Sequence, residues 1–405
     1  MVFDDKGFVL TPYHVVDGAT KVYVHVAGGG SYADDLAADA RTDLAVLRLL
    51  NPPPGLRALK FGEVRLGPDR PTVDRGKLVV EVAHAYTANL PLDRPAAALG
   101  SLTNVHRSVP IPPSPTHPKP NSVPKSDSYY FHGPLLEHDA RFRPGLSGAA
   151  LLNLDGELIG LTTTAPPLGL GDRTPGYAFP LDARLRRIVD VLRRGEEVEY
   201  GYLGVYTPPD AAGPVVQLSD VVPLGPADQA GVQRNDVITA IDGVPIRRYE
   251  DLLAQVGSAL AGTKVALTVQ RNRGQPVQLT ATLGKLRHDQ PWVASARPDP
   301  VFGLRVDYGS ILAQQEGRKN PQLLAEGVPA GVSVADVATG SPAAAALKKL
   351  GDPPQRWLVT HANGTAVASP REFYAAAKGQ PSVKLTLIDP TEPRAKRQTR
   401  EVTLP

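Results

Sequence analysis

Three short stretches of this 405-residue chain carry the side chains that nucleophilic catalysis requires. Thr11-Pro12-Tyr13-His14-Val15-Val16 sets a histidine between apolar residues at a strand end. Thr42-Asp43-Leu44-Ala45-Val46 sets an aspartate at the mouth of an apolar strand. Pro144-Gly145-Leu146-Ser147-Gly148-Ala149 sets a serine in a tight turn with glycine on both sides. Acyl transfer needs a hydroxyl activated by a base, a carboxylate that orients the base, and backbone N–H groups aimed at the developing oxyanion. Taken singly, a buried histidine, a turn-capping aspartate and a turn serine are ordinary structural residues. The three contexts together, in this order, point to chemistry. The chain has no cysteine, which excludes a thiolate nucleophile, disulfides, Cys-ligated zinc and iron–sulfur clusters.

The elements that must position these residues are mostly strands. Gly (38) and Pro (41) make up about a fifth of the chain, against a usual share of about 12%. That excess favours turns and short strands over helices. Val22, Val24 and Val26 alternate as in a half-buried strand, Leu44 to Leu49 reads as an interior strand, and Leu78 to Val82 as another. Residues 105–125 hold seven prolines and read as a long surface loop. Leu151-Leu152 and Leu158 to Leu161 form a hairpin across Asn153-Leu154-Asp155-Gly156. The clearest helix is capped by Asp182, buries Leu185, Ile188, Val189 and Leu192, and closes at Gly195. Its arginines, Arg184, Arg186, Arg187, Arg193 and Arg194, read as a solvated face.

After residue 198 the pattern changes to two similar units of about a hundred residues each. Tyr202-Leu203-Gly204-Val205 is matched by Val301-Phe302-Gly303-Leu304, and Gly225-Pro226-Ala227 by Ser341-Pro342-Ala343. Ile241-Asp242-Gly243 is matched by Ala362-Asn363-Gly364, and each unit then has a short helix and alternating strands.

The His, Asp and Ser segments resemble the HtrA/DegP family of trypsin-like serine proteases. So do Gly7-Phe8-Val9-Leu10-Thr11, the hairpin 152–160 and Gly176-Tyr177-Ala178-Phe179-Pro180. The two later units resemble PDZ domains, in a DegP-like order. The resemblance implies a mainly β fold: a chymotrypsin/trypsin-like double β-barrel over 1–198, a first PDZ domain over 199–287 and a second PDZ-like domain over 298–405. It assigns His14 as general base, Asp43 as its orienting carboxylate and Ser147 as nucleophile. The amides of Gly145, Leu146 and Ser147 become the oxyanion hole, and Phe142, Leu161 and Thr162 the wall of the specificity pocket. No aspartate marks the base of that pocket, so a small or medium apolar side chain is expected there. Peptide segments would add to the first unit at Tyr202, Leu203, Gly204 and Val205, opposite Leu252, Leu253 and Val256. In the second unit they would add at Phe302, Gly303 and Leu304, opposite Phe373 and Ala376.

The function so implied is endopeptidase action on unfolded or damaged proteins, without cofactor or metal, in an extracytoplasmic compartment. The family's trimer depends on a segment upstream of the Phe8 strand. Only residues 1–6 precede that strand here, so either the true start lies upstream or the barrel has lost its first strand, which would bare a sheet edge. Residues 1–6 are no signal peptide either, having neither a basic region nor an apolar run. Other departures from the family pattern are Leu146 for the usual Asn, Ala149 for a second Gly, Pro12 for a common Asn and the proline-rich insertion 105–125. Ala149 would be strained if that position needs positive φ. The alternative is a catalytically inactive PDZ scaffold that binds peptides or protein C-termini.

Other signals carry less. Lys+Arg 44 against Asp+Glu 41 gives a net charge of +3, with no recurring basic block, which speaks against a nucleic-acid binder. No stretch of about 18 apolar residues occurs. His132 and His138 flank a proline and lack metal-ligand spacing, and Gly28-Gly29-Gly30 has no lysine or helix behind it to hold a phosphate.

Overall fold

The computed structural model describes residues 1–26, 29–66, 70–83, 95–107, 134–140, 147–163, 175–207, 215–272, 274–288, 293–319, 328–351 and 353–405. The chain divides into two compact units. One is Met1–Val198 with Asp289–Arg297, the other Glu199–His288 with Pro298–Pro405.

The first unit begins with β1 (Phe8–Pro12), the single-turn helix α1 (Tyr13–Val16), β2 (Val22–Val26), β3 (Gly29–Asp39) and β4 (Leu44–Leu49). They form an antiparallel sheet in the order β1-β4-β3-β2. Leu44, Val46 and Leu47 of β4 are buried on both faces, as expected for a continuous apolar run. Residues 1–3 lie along the outer edge of β1: Val2 pairs with Val9, and the Leu10 N–H donates to the Met1 carbonyl at 2.8 Å. The short strand Val293–Ala294, in a stretch that the sequence leaves between two domains, pairs with Ala37 and Ala38 of β3.

A closed barrel follows, built of β5 (Leu78–Ala83), β6 (Ala96–Arg107), β7 (Leu135–His138), β8 (Ala150–Leu152), β9 (Leu158–Thr163) and β10 (Gly176–Pro180), in the order β10-β7-β6-β5-β8-β9. Every residue of β9 is buried. β6 runs to Arg107 with Val105 buried, so the start of the expected proline-rich loop is corrected: 105–107 are strand. Residues 108–125, and His132, lie outside the described residues. His138 is wholly buried, opposite Gly176.

α2 (Ala183–Arg193) closes the unit as its sequence predicts. The Asp182 carboxylate accepts from the Arg184 and Leu185 N–H groups at 2.9 and 3.0 Å, the Leu/Ile/Val stripe is buried, and Gly195 turns at φ 75°. One arginine departs from the solvated face. Arg186 donates to the Leu181 and Gly62 carbonyls and lies 5.3 Å over the Phe61 ring, tying the helix to the barrel.

The second unit holds two lobes with matching hydrogen bonds. In the first, Ala227 N–H donates to Leu203 O and Val222 N–H to Gly204 O, both at 2.9 Å. In the second, Ala343 N–H donates to Phe302 O at 3.1 Å and Ala338 N–H to Gly303 O at 2.8 Å. Gly204 and Gly303 sit at φ 82° and 85°, conformations that need glycine. Each Pro-Ala turn opens a short helix with proline in its first turn: α3 (Pro226–Gln229) and, in the second lobe, Pro342–Lys348. The Asp242-Gly243 and Asn363-Gly364 turns share one design. Each Asp or Asn N–H donates to a carbonyl on the facing strand, that of Ala266 or Lys384, and its side chain accepts from the N–H of the same residue.

The lobes are joined by a helix of the second lobe. α4 (Tyr249–Gly257) belongs to the first lobe. α5 (Gly309–Lys319) directly follows β11 (Leu304–Tyr308) of the second. Leu312 and Ala313 of α5, with Val328, Leu358 and Ile388, share a buried cluster with Val222 and Leu224 of the first lobe. Gln314 donates to the Lys285 carbonyl at 2.8 Å and accepts from the Arg287 N–H at 2.9 Å. Lys285, itself nearly buried, pairs with Glu199 and Asp307 at 3.4 and 3.2 Å.

Candidate active site

His14 and Asp43 arrive from different elements. β1 delivers His14: Pro12 ends the strand with φ −63° and ψ 142°, and α1 begins at Tyr13. Asp43 stands just ahead of β4 at φ 56°, a left-handed conformation that an aspartate tolerates better than most residues. The Pro12↔Leu44 pair at the end of the β1–β4 ladder brings the two segments side by side.

Asp43 then holds the histidine twice. Its Oδ2 lies 2.6 Å from His14 Nδ1, and its Oδ1 accepts from the His14 backbone N–H at 2.9 Å. Its carbonyl also accepts from the Tyr13 N–H at 2.9 Å. The Asp43 side chain is 7% exposed and that of His14 42%, so the carboxylate is shielded while the ring reaches solvent. With Nδ1 on the carboxylate, the other ring nitrogen, Nε2, is the one left to meet a substrate or nucleophile.

The loop that aims Asp43 is organised by a residue that sequence reasoning missed. Asp39, buried at the end of β3, accepts from the Thr42 N–H at 3.0 Å and from the Thr42 hydroxyl. Thr42 is wholly buried. The signal was an aspartate three residues before a threonine, an ordinary side-chain-to-backbone turn.

Ser147 sits in a turn entering β8. Gly148 N–H donates to the Thr162 carbonyl at 2.8 Å, and Thr162 N–H to the Ala149 carbonyl at 2.9 Å. Gly148 has φ 92°, and a Cβ there would come within 2.9 Å of Pro12 Cδ. The glycine after the serine thus packs on the strand end that carries His14, two residues beyond Pro12. Ala149 lies outside the left-handed region, so the expected strain is absent: of the pair Gly148-Ala149, the first needs to be glycine. Gly145, Leu146 and Phe142 lie outside the described residues. Leu161 is fully buried and Thr162 nearly so. Ser147 also lines a cavity of about 660 Å³ with Val24, Val26, Leu56 and Val82.

Electrostatic perturbation near the site is local. Burial, with the Asp17 carboxylate accepting from its hydroxyl at 2.8 Å, pushes the Tyr13 phenol up to about 12. That keeps a neutral, anchored side chain beside His14.

In the second unit the candidate peptide loops are formed. Tyr202 pairs with Gly284, Leu203 is buried, and Val205 pairs with Val221. Leu304 is buried and Phe302 packs on the second lobe's core.

A model of the trypsin-like peptidase domain matches residues 1–161, and one of the PDZ domain matches 217–271. The periplasmic serine endoprotease DegP of Escherichia coli K12 is 28% identical over 390 residues, covering 94% of this chain and 71% of that protein. A probable DegP-like periplasmic serine endoprotease of Pseudomonas savastanoi is 27% identical, covering 94% and 73%. Among solved structures, the HtrA-type protease AlgW with a decapeptide shares the fold at TM-score 0.51 and 24% identity, over 74% of this chain and 82% of that one. AlgW with a tripeptide does so at TM-score 0.52 and 24% identity, over 74% and 89%. The chain therefore carries a trypsin-like peptidase domain and a PDZ domain, and it is a homologue of the DegP/HtrA serine endoproteases.

Proposed function

We propose that the chain cleaves peptide bonds of unfolded or damaged proteins through an acyl-enzyme on Ser147. The observation that carries this reading is the double hold of Asp43 on His14. It fixes the imidazole with Nδ1 on the carboxylate and leaves Nε2 to accept the Ser147 proton. The packing of Gly148 on Pro12 supports a serine close to that ring. Ser147 Oγ then attacks the scissile carbonyl, and the oxygen becomes an oxyanion facing the N–H groups of Gly145, Leu146 and Ser147. His14 gives its proton to the leaving amine, then takes one from water to hydrolyse the ester. No step needs a metal or cofactor. The primary pocket takes a small or medium apolar side chain.

The first lobe captures an extended peptide beside Val205, with Leu203 and Gly204 at its carboxylate, as edge-strand addition requires. AlgW, a structural neighbour, was solved with a decapeptide, which supports peptide capture by this fold. The three expected domains act as two working parts, a protease over 1–198 with 289–297 and a peptide-binding pair over 199–288 with 298–405. The periplasmic relatives support an extracytoplasmic site of action. Ala149, one of the two sequence features that pointed to an inactive scaffold, has no positive φ and so does not favour that reading. The test is degradation of a fluorescently labelled unfolded protein by the purified chain. The proposal expects cleavage that Ser147→Ala abolishes. Cleavage that survives Ser147→Ala, or none by the folded wild type, overturns it.

A further inference from the structure

The candidate carboxylate loop of the first lobe, Tyr202 to Val205, has two backbone supports. One is the turn 222–225. The Val222 N–H donates to the Gly204 carbonyl, and the Gly225 N–H closes the turn on the Val222 carbonyl, both at 2.9 Å. The other is the strand pair that carries the chain into the loop, with Gly201 opposite Lys285 and Tyr202 opposite Gly284.

Helix α5 of the second lobe touches both supports. Its Ser310 and Gln314 side chains donate to the Lys285 carbonyl at 3.0 and 2.8 Å. Val222 and Leu224 of the turn share their buried cluster with Leu312, Ala313, Val328, Leu358 and Ile388. Leu224 stands at φ 65°, a left-handed conformation that strains a residue with a branched apolar side chain. Its N–H is tied within its own lobe, to the Asp228 carboxylate at 2.9 Å. Its side chain, 2% exposed, is buried largely among second-lobe residues. The second lobe is built otherwise. Its apolar residue at positive φ, Phe302 at 52°, packs on that lobe's own core. Ala338, whose N–H holds the Gly303 carbonyl, is exposed.

We propose that Leu224 is a positioning residue for peptide capture, clamped by α5. Burial of its side chain against the second lobe offsets the strain of the left-handed turn, and the turn holds Gly204 for a peptide's terminal carboxylate. The first lobe therefore binds at full strength only while the second lobe is docked on it, whereas the second lobe's loop stands unaided. The inference rests on the reading of the first lobe as a peptide groove.

Two measurements on the full chain test it. Leu312→Ala slackens the clamp, and Leu224→Gly frees the turn from it, since glycine adopts positive φ without strain. The first measurement is residue-resolved amide exchange, which involves no ligand. Leu312→Ala should speed exchange at Val222 about tenfold more than at Leu218 of the same lobe, on the scale of what a left-handed non-glycine residue costs. In a Leu224→Gly background, Leu312→Ala should affect the two amides alike. A rise at Val222 no greater than at Leu218, or an extra rise that survives Leu224→Gly, overturns the proposal. The second uses Ser147→Ala protein, so that peptides are not cut, and a pool of photo-crosslinking heptapeptides with apolar C-terminal residues. Leu312→Ala should lower labelling of residues 203–206 about tenfold and leave labelling of 302–305 as it was. With Leu224→Gly present, the fall should shrink to less than about twofold. Unchanged labelling of 203–206, or an equal fall at both loops, overturns the clamp. Absence of labelling at both loops before any clamp substitution instead fails the peptide-groove reading, and the exchange result alone then decides the clamp.

Discussion

Asp43 touches His14 at two atoms, Nδ1 at 2.6 Å and the backbone N–H at 2.9 Å. The second contact fixes the carboxylate whatever the ring does, so the first can act on the imidazole alone. An asparagine in its place would keep the left-handed backbone and the contact to the His14 N–H, but would favour the wrong ring tautomer. Asp43→Asn should therefore fold normally and lose about 10⁴-fold in kcat, with KM little changed. Steady-state kinetics on a cleavable peptide checks this.

Gly148 and Ala149 should respond oppositely to substitution. Gly148→Ala forces a Cβ toward Pro12 at φ 92°, and should lower stability by about 1–3 kcal/mol together with activity. Ala149→Gly relieves nothing, since Ala149 has no positive φ, and should leave turnover within about threefold. Thermal melting with parallel rate measurements separates the two.

The second unit carries an acid-sensitive pair. Burial pushes the Asp236 carboxyl up, but Arg271, which donates to both its oxygens at 2.9 Å, and the Gln233 N–H outweigh that and hold its pKa below the usual value. A carboxyl with a depressed folded pKa stabilises fully above its unfolded value near pH 4, and the gain is lost as pH falls through the folded one. Asp236→Asn should cost about 1–2 kcal/mol at pH 6, since Arg271 is partly exposed, and almost nothing well below pH 3. Urea unfolding across that range reads the difference.

Much of this was legible in the chain. The strands at 22–26, 44–49 and 78–83, the capped helix at 183–193 and the two repeated Gly loops follow from period, caps and turn residues, which act locally. The His, Asp and Ser segments were equally local. The helix Gly309–Lys319 was not legible, because its apolar residues are few and its partners, Val222 and Leu224, lie some ninety positions earlier. Arg186 was misread for the same reason. Its charge says solvent, and only the fold brings the Phe61 ring and the Gly62 carbonyl to it. Asp39 escaped because an Asp-to-Thr turn looks alike whether or not it aims a catalytic carboxylate.

That joining helix yields its own prediction. Leu312→Ala empties part of a cluster shared by both lobes and should cost about 2–4 kcal/mol. Because the cluster is common property, the loss should appear in both lobes at once. Amide exchange should rise in Leu218 and in Val359 alike, whereas lobes that fold independently would confine the change to the second.

The most direct test of the central claim is labelling of the folded chain with a fluorophosphonate, which reacts only with a serine whose base and oxyanion donors are in place. The account predicts one label per chain, on Ser147, slowed at least a thousandfold by His14→Ala, as expected for loss of the general base. A folded chain that takes no label, or takes it elsewhere than Ser147, would contradict it.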